Sequence, residues 1–483
     1  MATWNLTSAQ SAFQAGSIQA WIEEYLQVPE WENLGLLRRA REYSKQWSEP
    51  QLVPISSLFR IAGPGEAYRF PQDPMQWSSE VTVIAQGNPD PSDLPPIIAW
   101  REYDGELNVA DGNHRISALE SLGHSHIWAI IHEGPLRDPE EVANRQKSIK
   151  VLSDRFLGFI EECEGSSPFY QALSREIAGD EEILSLIRHC REGQPQPNLF
   201  FAAVQFLLDK ENDAQLRLHY PSFTAAPTEL DYAVFRTFVL ERRNKVFELI
   251  STRLVQTNEV QRSALLYPSF LTCHRPFGNR PIFLIELGAS AGFNLLLDQY
   301  AYQYSGGPLL GNKNSKLLLE CELRGPNVPD FKSETPPVSR RIGIDLNPID
   351  INDPDAVSWL EALIWPEHEV RRTRLRQAIA IAKGNPVKMI AGDGVELLES
   401  LLGQVPNDHV AYVFHTHVAN QMSPEQREKL LQVIDDYGQT YDIVHIHNNI
   451  EPHLHATTYF NGIRSDQPLA RADGHARWIE WLV

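Results

Sequence analysis

The segment from residue 281 to residue 447 constrains the fold most, because short apolar stretches alternate there with stretches of helical periodicity. The apolar stretches predict five strands, at Pro281–Glu286, Arg341–Asp345, Lys388–Ala391, Val410–Phe414 and Ile443–His447. The intervening stretches predict helices at Gly292–Tyr300, Trp359–Lys383, Val395–Leu402 and Pro424–Tyr437. Strands that alternate with helices usually form a parallel sheet with helices on both faces. The predicted fold class is therefore α/β, with a doubly wound, Rossmann-like sheet.

The amino-terminal part predicts a small α+β unit. Strands are expected at Pro96–Arg101, Leu107–Ala110 and Ile127–Ile131, with a helix at His114–Leu122. Asp104-Gly105 lies between the first two strands and indicates a hairpin turn, because such turns need positive φ. A proline-rich stretch before this unit is expected to form loops around one short strand, Val81–Ala85.

Residues 137–265 show mostly helical periodicity. Helices are predicted at Ile149–Glu162, Ser167–Ala178, Glu181–Arg188, Leu199–Leu208 and Tyr232–Leu254. These patterns together predict three domains: an amino-terminal domain over residues 1–135, a helical subdomain over 136–275 and the Rossmann-like domain over 276–483.

Charge and composition exclude several classes of protein. The 483 residues contain 43 basic and 63 acidic side chains, a net charge of −20, which disfavours binding to nucleic acid and to anionic membranes. The apolar stretch Leu199–Leu208 is about half of the ~20 residues that a membrane span needs. The four cysteines form no CxxC pair, and the amino terminus shows no secretory signal. We expect a cytoplasmic protein with a small-molecule or protein substrate, and the oligomeric state stays open.

A glycine loop follows the first strand of the predicted parallel sheet. The strand ends at Glu286, and Gly288-x-Ser290-x-Gly292 leads into the next element. Gly288 allows a sharp turn, and Gly292 would let the backbone approach a ligand closely. The same pattern is found in hydrolases, where Ser290 would be the nucleophile. The acidic Glu286 favours an amino group as the ligand, and we expect Ser290 not to be a nucleophile. Glycines required only for packing are the alternative.

The next two predicted strands also end in acidic residues. Asp345 could accept both hydroxyl groups of a ribose, and Asp393 suits an adenine amino group. Glu286, Gly288, Ser290, Gly292, Asp345 and Asp393 together resemble the site of class I S-adenosylmethionine-dependent methyltransferases. Asp345 follows Gly288 by 57 residues, where about 20 is usual, and we attribute the excess to an inserted hairpin at Leu317–Arg324.

A second resemblance covers residues ~150–483. It rests on six segments, each numbered here by its first residue: Gln194-Pro-Gln-Pro-Asn-Leu, Gln256-Thr-Asn-Glu, Glu286-Leu-Gly-Ala-Ser-Ala-Gly-Phe-Asn, Asp345-Leu-Asn-Pro, Trp365-Pro-Glu and Asp473-Gly-His-Ala-Arg-Trp-Ile-Glu-Trp. They occur in the order found in the bacterial family called domain of unknown function 2332. This resemblance implies no established activity, so the function has to be argued from the site.

Histidines are concentrated near the carboxyl terminus, where 8 of the 16 lie in the last 75 residues. The pairs His415/His417 and His445/His447 are each expected on one face of a strand. They could bind zinc or iron, or they could simply bond backbone groups and carboxylates. We prefer a catalytic interpretation without a metal, in which His415 is a general base and Asn420 orients the methyl acceptor.

Two polar segments allow both a structural and a functional interpretation. Gln256–Glu259 could cap a helix or contact a substrate. The basic run from Arg371 to Arg376 could be a solvated helix face or an anion site.

A second glycine turn lies in the amino-terminal unit, at Asp111-Gly112-Asn113-His114-Arg115. Free backbone N–H groups at a helix start, together with Arg115, would form a phosphate cradle. The arrangement over roughly residues 50–132 resembles the ParB/sulfiredoxin-like fold, which implies that these five residues bind a nucleotide, with magnesium if it is a triphosphate. Asn113 stands where sulfiredoxins carry their reactive cysteine, so sulfinic acid reduction is not expected.

The leading functional prediction is an S-adenosylmethionine-dependent methyltransferase fused to a nucleotide-binding module. A nucleotide-dependent phosphotransferase or hydrolase that uses the amino-terminal domain is the first alternative. A non-enzymatic binding or scaffold protein is the second.

Overall fold

The computed structural model describes residues 4–29, 32–42, 47–65, 68–101, 106–133, 139–256, 258–451 and 453–483. The chain is a mixed α/β protein of two compact units, one of residues 1–255 and 365–367 and one of residues 256–364 and 368–483. They are called unit 1 and unit 2 below. No helix among these residues is long and apolar enough to cross a membrane. The division into three domains stays a prediction.

Unit 1 combines helices with a five-stranded sheet. The helices are α1 (Leu6–Gln14), α2 (Ile18–Tyr25), α3 (Leu34–Glu42), α4 (Pro74–Gln86), α5 (Asn113–Ser121), α6 (Pro139–Cys163), α7 (Pro168–Ile177), α8 (Glu181–Ile187), α9 (Gln196–Glu211), α10 (Ala214–Arg217), α11 (Tyr232–Glu241) and α12 (Arg243–Thr252). The strands are β1 (Gln51–Pro54), β2 (Leu58–Arg60), β3 (Ala62–Pro64), β4 (Phe70–Gln72), β5 (Ile97–Arg101), β6 (Leu107–Asp111) and β7 (His126–His132).

The five-stranded sheet has the order β1-β7-β5-β6-β2, and β3 pairs with β4 separately. Strand β5 is buried on both faces, because its side chains alternate between two cores. Ile98 and Trp100 pack with residues of α1–α3, whereas Ile97 and Ala99 pack with Ile116 of α5. The antiparallel pairing of β5 with β6 confirms the predicted hairpin, and its turn at Asp104-Gly105 lies outside the described residues.

Two predictions for unit 1 are wrong. Val81–Ala85 is part of helix α4 instead of a strand. The side chain of Asp73 accepts hydrogen bonds from the first-turn N–H groups, and Pro74 fits the first turn, so the helix start outweighs the β propensity of the valines. The helix expected at Tyr232–Leu254 is two helices, because the backbone leaves the helical region at Arg242 (φ −114°, ψ 20°).

Unit 2 contains five helices and an eleven-stranded sheet among the described residues. The helices are α13 (Ser263–His274), α14 (Pro354–Ala362), α15 (Glu369–Gly384), α16 (Gly394–Leu402) and α17 (Pro424–Gly438). The strands are β8 (Ile282–Leu287), β9 (Ala301–Tyr304), β10 (Leu310–Gly311), β11 (Leu318–Arg324), β12 (Val338–Asp345), β13 (Lys388–Ala391), β14 (Val410–His415), β15 (Ile443–His447), β16 (Leu454–Phe460), β17 (Ile463–Ala472) and β18 (Trp478–Trp481).

The sheet order is β10-β9-β11-β18-β17-β16-β15-β14-β8-β12-β13. The five strands from β15 to β13 are mutually parallel, as predicted. Strand β8 is fully buried, and its alternate side chains enter cores on opposite faces of the sheet. After β8 the chain forms β9–β11 at the far edge of the sheet, then β12 and β13 on one side of β8, and then β14 on the other side of β8. The carboxyl ends of β8 and β14 therefore flank the point where the strand order reverses.

Three predictions for unit 2 need correction. The segment expected to be a helix at Gly292–Tyr300 is a kinked 3-10 segment, Phe293–Gln299. The helix expected at Trp359–Lys383 is two helices, α14 and α15, separated by a segment that contains Pro366, which interrupts a helix. The hairpin expected at Leu317–Arg324 is a single strand, β11, which pairs in parallel with β9 and β18.

Candidate functional site

The glycine loop after β8 has an unusual backbone. Gly288, Ser290 and Gly292 all have positive φ, at 68°, 53° and 74°. Ser290 is held in this conformation by two hydrogen bonds, since its N–H donates to Asp345 Oδ2 (2.8 Å) and its Oγ accepts from Asn258 Nδ2 (2.7 Å). An amide cannot remove the hydroxyl proton, so this contact does not support Ser290 as an activated nucleophile.

The two glycines of the loop are required by neighbouring side chains. A Cβ atom on Gly288 would lie 2.3 Å from Val418 Cγ2. A Cβ atom on Gly292 would lie 3.0 Å from both Met389 Sδ and Val387 Cγ2. The close contacts of Gly292 are with the protein itself, and the approach of a ligand to its backbone stays a prediction.

Asp345 lies beside this loop, as the sequence predicted. Its Oδ2 accepts from Ser290 N, and its Oδ1 accepts from Asn347 N (2.8 Å) and, at 3.4 Å, from Gln256 Nε2. A carboxylate oxygen has two lone pairs, so Oδ2 can accept one more hydrogen bond. Asp345 therefore holds the loop and still has capacity for a ligand hydroxyl.

Asp393 caps helix α16. Its Oδ1 accepts from Val395 N (2.8 Å) and Glu396 N (3.3 Å), and its Oδ2 accepts from Gln426 Nε2 (3.1 Å). These bonds explain why an acidic residue stands at this helix start. A contact between Asp393 and adenine stays a prediction.

Glu286 is the most unusual carboxyl group of the site. It is 3% exposed, its Oε1 accepts a long bond from Asn294 Nδ2 (3.5 Å), and its Oε2 has no hydrogen-bond partner among the described residues. Burial, together with the nearby charge of Asp345, raises the pKa of Glu286 well above its usual value. A buried oxygen without a partner is rare in proteins and marks a place where a polar group of a ligand can bind.

The segment before α13 completes this polar cluster. Asn258 bonds the glycine loop twice, at Ser290 Oγ and, through Oδ1, at Ala291 N (3.0 Å). Glu259 is buried and accepts from His475 Nδ1 (3.0 Å) while it pairs with Arg371 Nη2 (2.9 Å). Burial alone would raise the pKa of Glu259, but His475 and Arg371 lower it to about 2. Gln256, Asn258 and Glu259 thus form a structural clamp, and Glu259 also caps a 3-10 turn, whereas Thr257 lies outside the described residues.

A cavity of about 470 Å³ lies beyond the carboxyl ends of β14 and β15, bordered also by the adjoining ends of β16 and β17. The cavity could not be predicted from the sequence, because its residues come from distant parts of the chain. Its lining includes Arg262, Thr416, His417, Asn448, Asn449 and Asp473.

The structure does not favour His415 as a general base. His415 is fully buried, and its Nε2 lies 3.2 Å from His445 Nε2. Burial, with a smaller contribution from His447, lowers the pKa of His415 to about 3, whereas an efficient base titrates near the working pH. His417 does not share the strand face, because it follows β14 with φ 59° and lines the cavity. Asn420 is exposed in a 3-10 turn, and its role in orienting an acceptor stays a prediction.

His445 and His447 lie beside His415 and His455 in a cluster on β14, β15 and β16, in which His455 alone is partly exposed. We call these four residues the histidine cluster. The Nδ1 atoms of all four have no hydrogen-bond partner among the described residues. In the part of the chain that the structure describes, no group of three or more His, Cys, Asp and Glu residues is arranged to hold a metal ion.

The predicted phosphate cradle of unit 1 has a different environment. Arg115 is 9% exposed and donates to Asp111 Oδ2 (2.5 Å), to Pro96 O (3.3 Å) and to Pro95 O. Gly112 has φ 97°, and a Cβ atom there would lie 2.4 Å from Ile97 Cγ2. The guanidinium group is thus used within the fold.

The other two cradle residues are also held by protein groups. Asn113 Nδ2 donates to Val109 O (3.1 Å). The ring of His114 packs against Trp77 at 3.9 Å between centroids, and its Nε2 lies 3.1 Å from Glu80 Oε2 without a hydrogen bond among the described residues. Nucleotide binding at residues 111–115 stays a prediction, which these contacts do not favour.

Comparison with known proteins agrees with the second resemblance found in the sequence. No curated protein matches the chain. A family model described as "Uncharacterized protein conserved in bacteria" matches residues 153–481. This range includes the glycine loop, the Gln256–Glu259 clamp and the segment with His475, which the structure brings together in unit 2. The chain belongs to that bacterial family, DUF2332.

Proposed function

We propose that unit 2 is an S-adenosylmethionine-dependent methyltransferase with a doubly wound, Rossmann-like sheet. The observation that carries this proposal is the contact between Ser290 N and Asp345 Oδ2 (2.8 Å), which joins the turn after β8 to the acid after β12. Both elements lie at the carboxyl ends of parallel strands, beside the reversal of strand order where ligands of open α/β sheets bind.

Two carboxylate oxygens of unit 2 can accept hydrogen bonds from such a ligand. Asp345 Oδ2 can accept one more hydrogen bond, and the 3.4 Å contact from Gln256 to Oδ1 is weak enough to give way to a ribose hydroxyl. Glu286 Oε2, which has no partner among the described residues, would accept from an amino group. We assign Asp345 to the ribose and Glu286 to the amino group of the methionine part.

The chain's own contribution to methyl transfer is mainly alignment. Bound S-adenosylmethionine supplies an electrophilic methyl group. Asn258 fixes the glycine loop through two hydrogen bonds, so Ser290 and Asp345 keep their positions when a ligand binds. Holding two reactants in line is a large part of catalysis for a displacement that needs little other chemistry.

A thermal-shift panel with S-adenosylmethionine, its demethylated product, ATP and CTP tests the proposal against its alternatives. A ligand at 100 times its dissociation constant adds about 2.7 kcal/mol of apparent stability. We expect stabilisation by the first two compounds in wild type and its loss in Asp345→Ala. The control is Asp408→Ala, whose exposed side chain lies at the amino-terminal edge of the same sheet. Stabilisation by ATP or CTP alone would favour the phosphotransferase alternative, and no stabilisation by any ligand would favour a scaffold.

A further inference from the structure

Arg262 has an unusual position in the cavity of unit 2. It lines the cavity at the start of α13, and its Nε donates to Gly474 O (3.1 Å). Its guanidinium group forms no ion pair within the described part of the chain. Glu259, a nearby carboxylate, is already bonded to both His475 and Arg371. The Nη atoms of Arg262 therefore keep donor capacity at the cavity.

The other charged side chains at the cavity are either paired or exposed. Arg471 Nη1 donates to Glu480 Oε2 (3.3 Å), and Asp473 accepts from both the backbone N–H and the Nε of Arg477. Glu451 is exposed to solvent. Of the described cations that line the cavity, Arg262 is thus the one without an ion pair. Arg262 is partly exposed, and one negative charge of a ligand would neutralise it.

Neutral polar groups and an apolar wall complete the cavity. Asn448 Oδ1 accepts from His417 N (2.7 Å), which leaves the Nδ2 donor of this side chain available. Leu265, Leu454 and Ala470 supply an apolar surface. The volume of about 470 Å³ lies in the range that small organic ligands occupy.

We infer that this cavity binds a small organic acid, whose carboxylate pairs with Arg262 and whose apolar body packs against Leu265 and Leu454. The inference rests on the proposed function, for which it names the methyl acceptor as an organic acid. A carboxylate is favoured over a phosphate group because a phosphate monoester brings a charge of about −1.5 to −2. The second charge would need a further cation, and Arg471, the other cation that lines the cavity, is already paired with Glu480.

Matched pairs of small molecules test the inference without knowledge of the natural substrate. We would titrate the full chain with phenylacetate, phenylacetamide and benzylphosphonate, and with 4-methylpentanoate and its amide, by ligand-observed NMR in the absence of S-adenosylmethionine. Wild type is expected to bind each acid at least tenfold more tightly than its amide, and phenylacetate more tightly than the phosphonate. Equal binding of acid and amide, tighter binding of the phosphonate, or no acid binding up to ~20 mM would each contradict the inference.

Variants locate the binding. Arg262→Gln should abolish the preference for the acid, and Arg262→Lys should keep part of it, because lysine retains the charge but loses the forked geometry. Arg471→Gln is the matched control, since Arg471 lines the same cavity but is already paired, and it should keep the full preference. An unchanged preference in Arg262→Gln, with an unchanged circular dichroism spectrum, would exclude Arg262 as the anchor. If the circular dichroism spectrum shows that Arg262→Gln is misfolded, the comparison of acid and amide binding by wild type decides whether the cavity binds an acid.

Titrations with the acids and with S-adenosylmethionine distinguish failure of this inference from failure of the proposed function. If S-adenosylmethionine binds but no acid is preferred, the methyltransferase proposal stands and the acceptor class is wrong. If an acid is preferred but S-adenosylmethionine does not bind, the cavity is an acid site of a protein with another function.

Discussion

Units 1 and 2 each contain a glycine turn after a buried strand, and the two turns differ in how the charged side chains beside them are satisfied. In unit 1, Arg115 bonds Asp111 and two backbone carbonyl groups, so the charged side chains of the turn have protein partners. In unit 2, the loop is equally well held by Asn258 and Asp345, but Glu286 Oε2 beside it has no partner among the described residues.

The difference shows why a motif alone is a weak guide to a site. A helix start with a glycine and an arginine has the same sequence pattern whether the arginine binds a phosphate or a nearby aspartate. Buried polar groups that lack partners are costly, and proteins keep few of them without a functional reason. We therefore expect ligand binding in unit 2 and a structural role for the turn in unit 1.

The largest expected effect concerns the histidine cluster, whose buried Nδ1 atoms also lack partners. Burial, with smaller contributions from neighbouring histidines, lowers the pKa of His415 to about 3 and of His447 to about 4. In the folded chain these histidines stay neutral down to about pH 4, whereas in the unfolded chain they take up protons below about pH 6.5. Protonation therefore favours the unfolded chain, and the folded chain loses stability as the pH falls from about 6.5 to about 4.

For each unit by which the pH falls in this range, each such histidine should lower the free energy of unfolding by about 1.4 kcal/mol. Urea unfolding of wild type between pH 7 and pH 5 should therefore show a loss of several kcal/mol. The slope should become shallower in His447→Asn and stay unchanged in His126→Asn, which replaces an exposed histidine of unit 1. A slope that His447→Asn leaves unchanged would show that the cluster is not the cause.

The next effect tests the structural role of the turn in unit 1. Arg115→Gln removes the guanidinium donor of two carbonyl groups and leaves Asp111 with Tyr25 OH as a donor, and we expect a loss of about 3 kcal/mol in urea unfolding. Arg41→Gln, which removes an exposed ion pair with Glu23 in the same unit, should cost less than about 1 kcal/mol. If Arg115→Gln is as stable as wild type but loses binding of ATP, the turn is a nucleotide site after all.

A smaller effect is expected at the loop of unit 2. Asn258→Ala removes two hydrogen bonds that hold the loop and should lower the free energy of unfolding by about 1–3 kcal/mol. It should also weaken binding of S-adenosylmethionine, because Ser290 and Asp345 lose their fixed positions. Asn258→Asp keeps the acceptor for Ala291 N and loses the donor to Ser290 Oγ, so its affinity should be intermediate. If Asn258→Ala is less stable but binds S-adenosylmethionine as tightly as wild type, the loop is not part of the ligand site.

The smallest effect is a pH dependence of affinity. The raised pKa of Glu286 favours its protonated form, and a bound ammonium group would favour the ionised form. Binding should then release a proton, so the affinity for S-adenosylmethionine should rise with pH by at most tenfold per unit. Calorimetric dissociation constants at pH 6, 7 and 8 should show this rise in wild type and a flatter profile in Glu286→Gln. The same profile in both proteins would remove Glu286 from the site.

Much of the parallel sheet could be predicted from the sequence because its strands are continuous apolar segments bounded by turn residues. Lys388–Ala391 and Ile443–His447 match the predicted bounds at both ends. Strand β11 was mistaken for a hairpin because its buried and exposed residues alternate, and such a pattern does not reveal the strands with which it pairs. The antiparallel strands β16–β18 were not predicted.

The site was only partly predictable. Asp345 and the glycine loop follow neighbouring strands, so the rule for carboxyl ends of parallel strands placed them together. Gln256–Glu259 was recognised as a polar segment, but its contact with the loop through Asn258 could not be predicted, because no local pattern links two segments that lie far apart in the chain. The burial of His415 was missed for a related reason, since an apolar strand with a polar end looks the same whether that end is covered or open.

Calorimetric titration of the wild-type chain with S-adenosylmethionine tests the central claim most directly. We predict saturable binding of one molecule per chain, weakened at least tenfold in Asp345→Ala and unchanged in Asp408→Ala, as expected for the loss of a hydrogen bond to a charged group. Absence of binding at ~1 mM ligand, with the wild-type chain folded, would contradict the account.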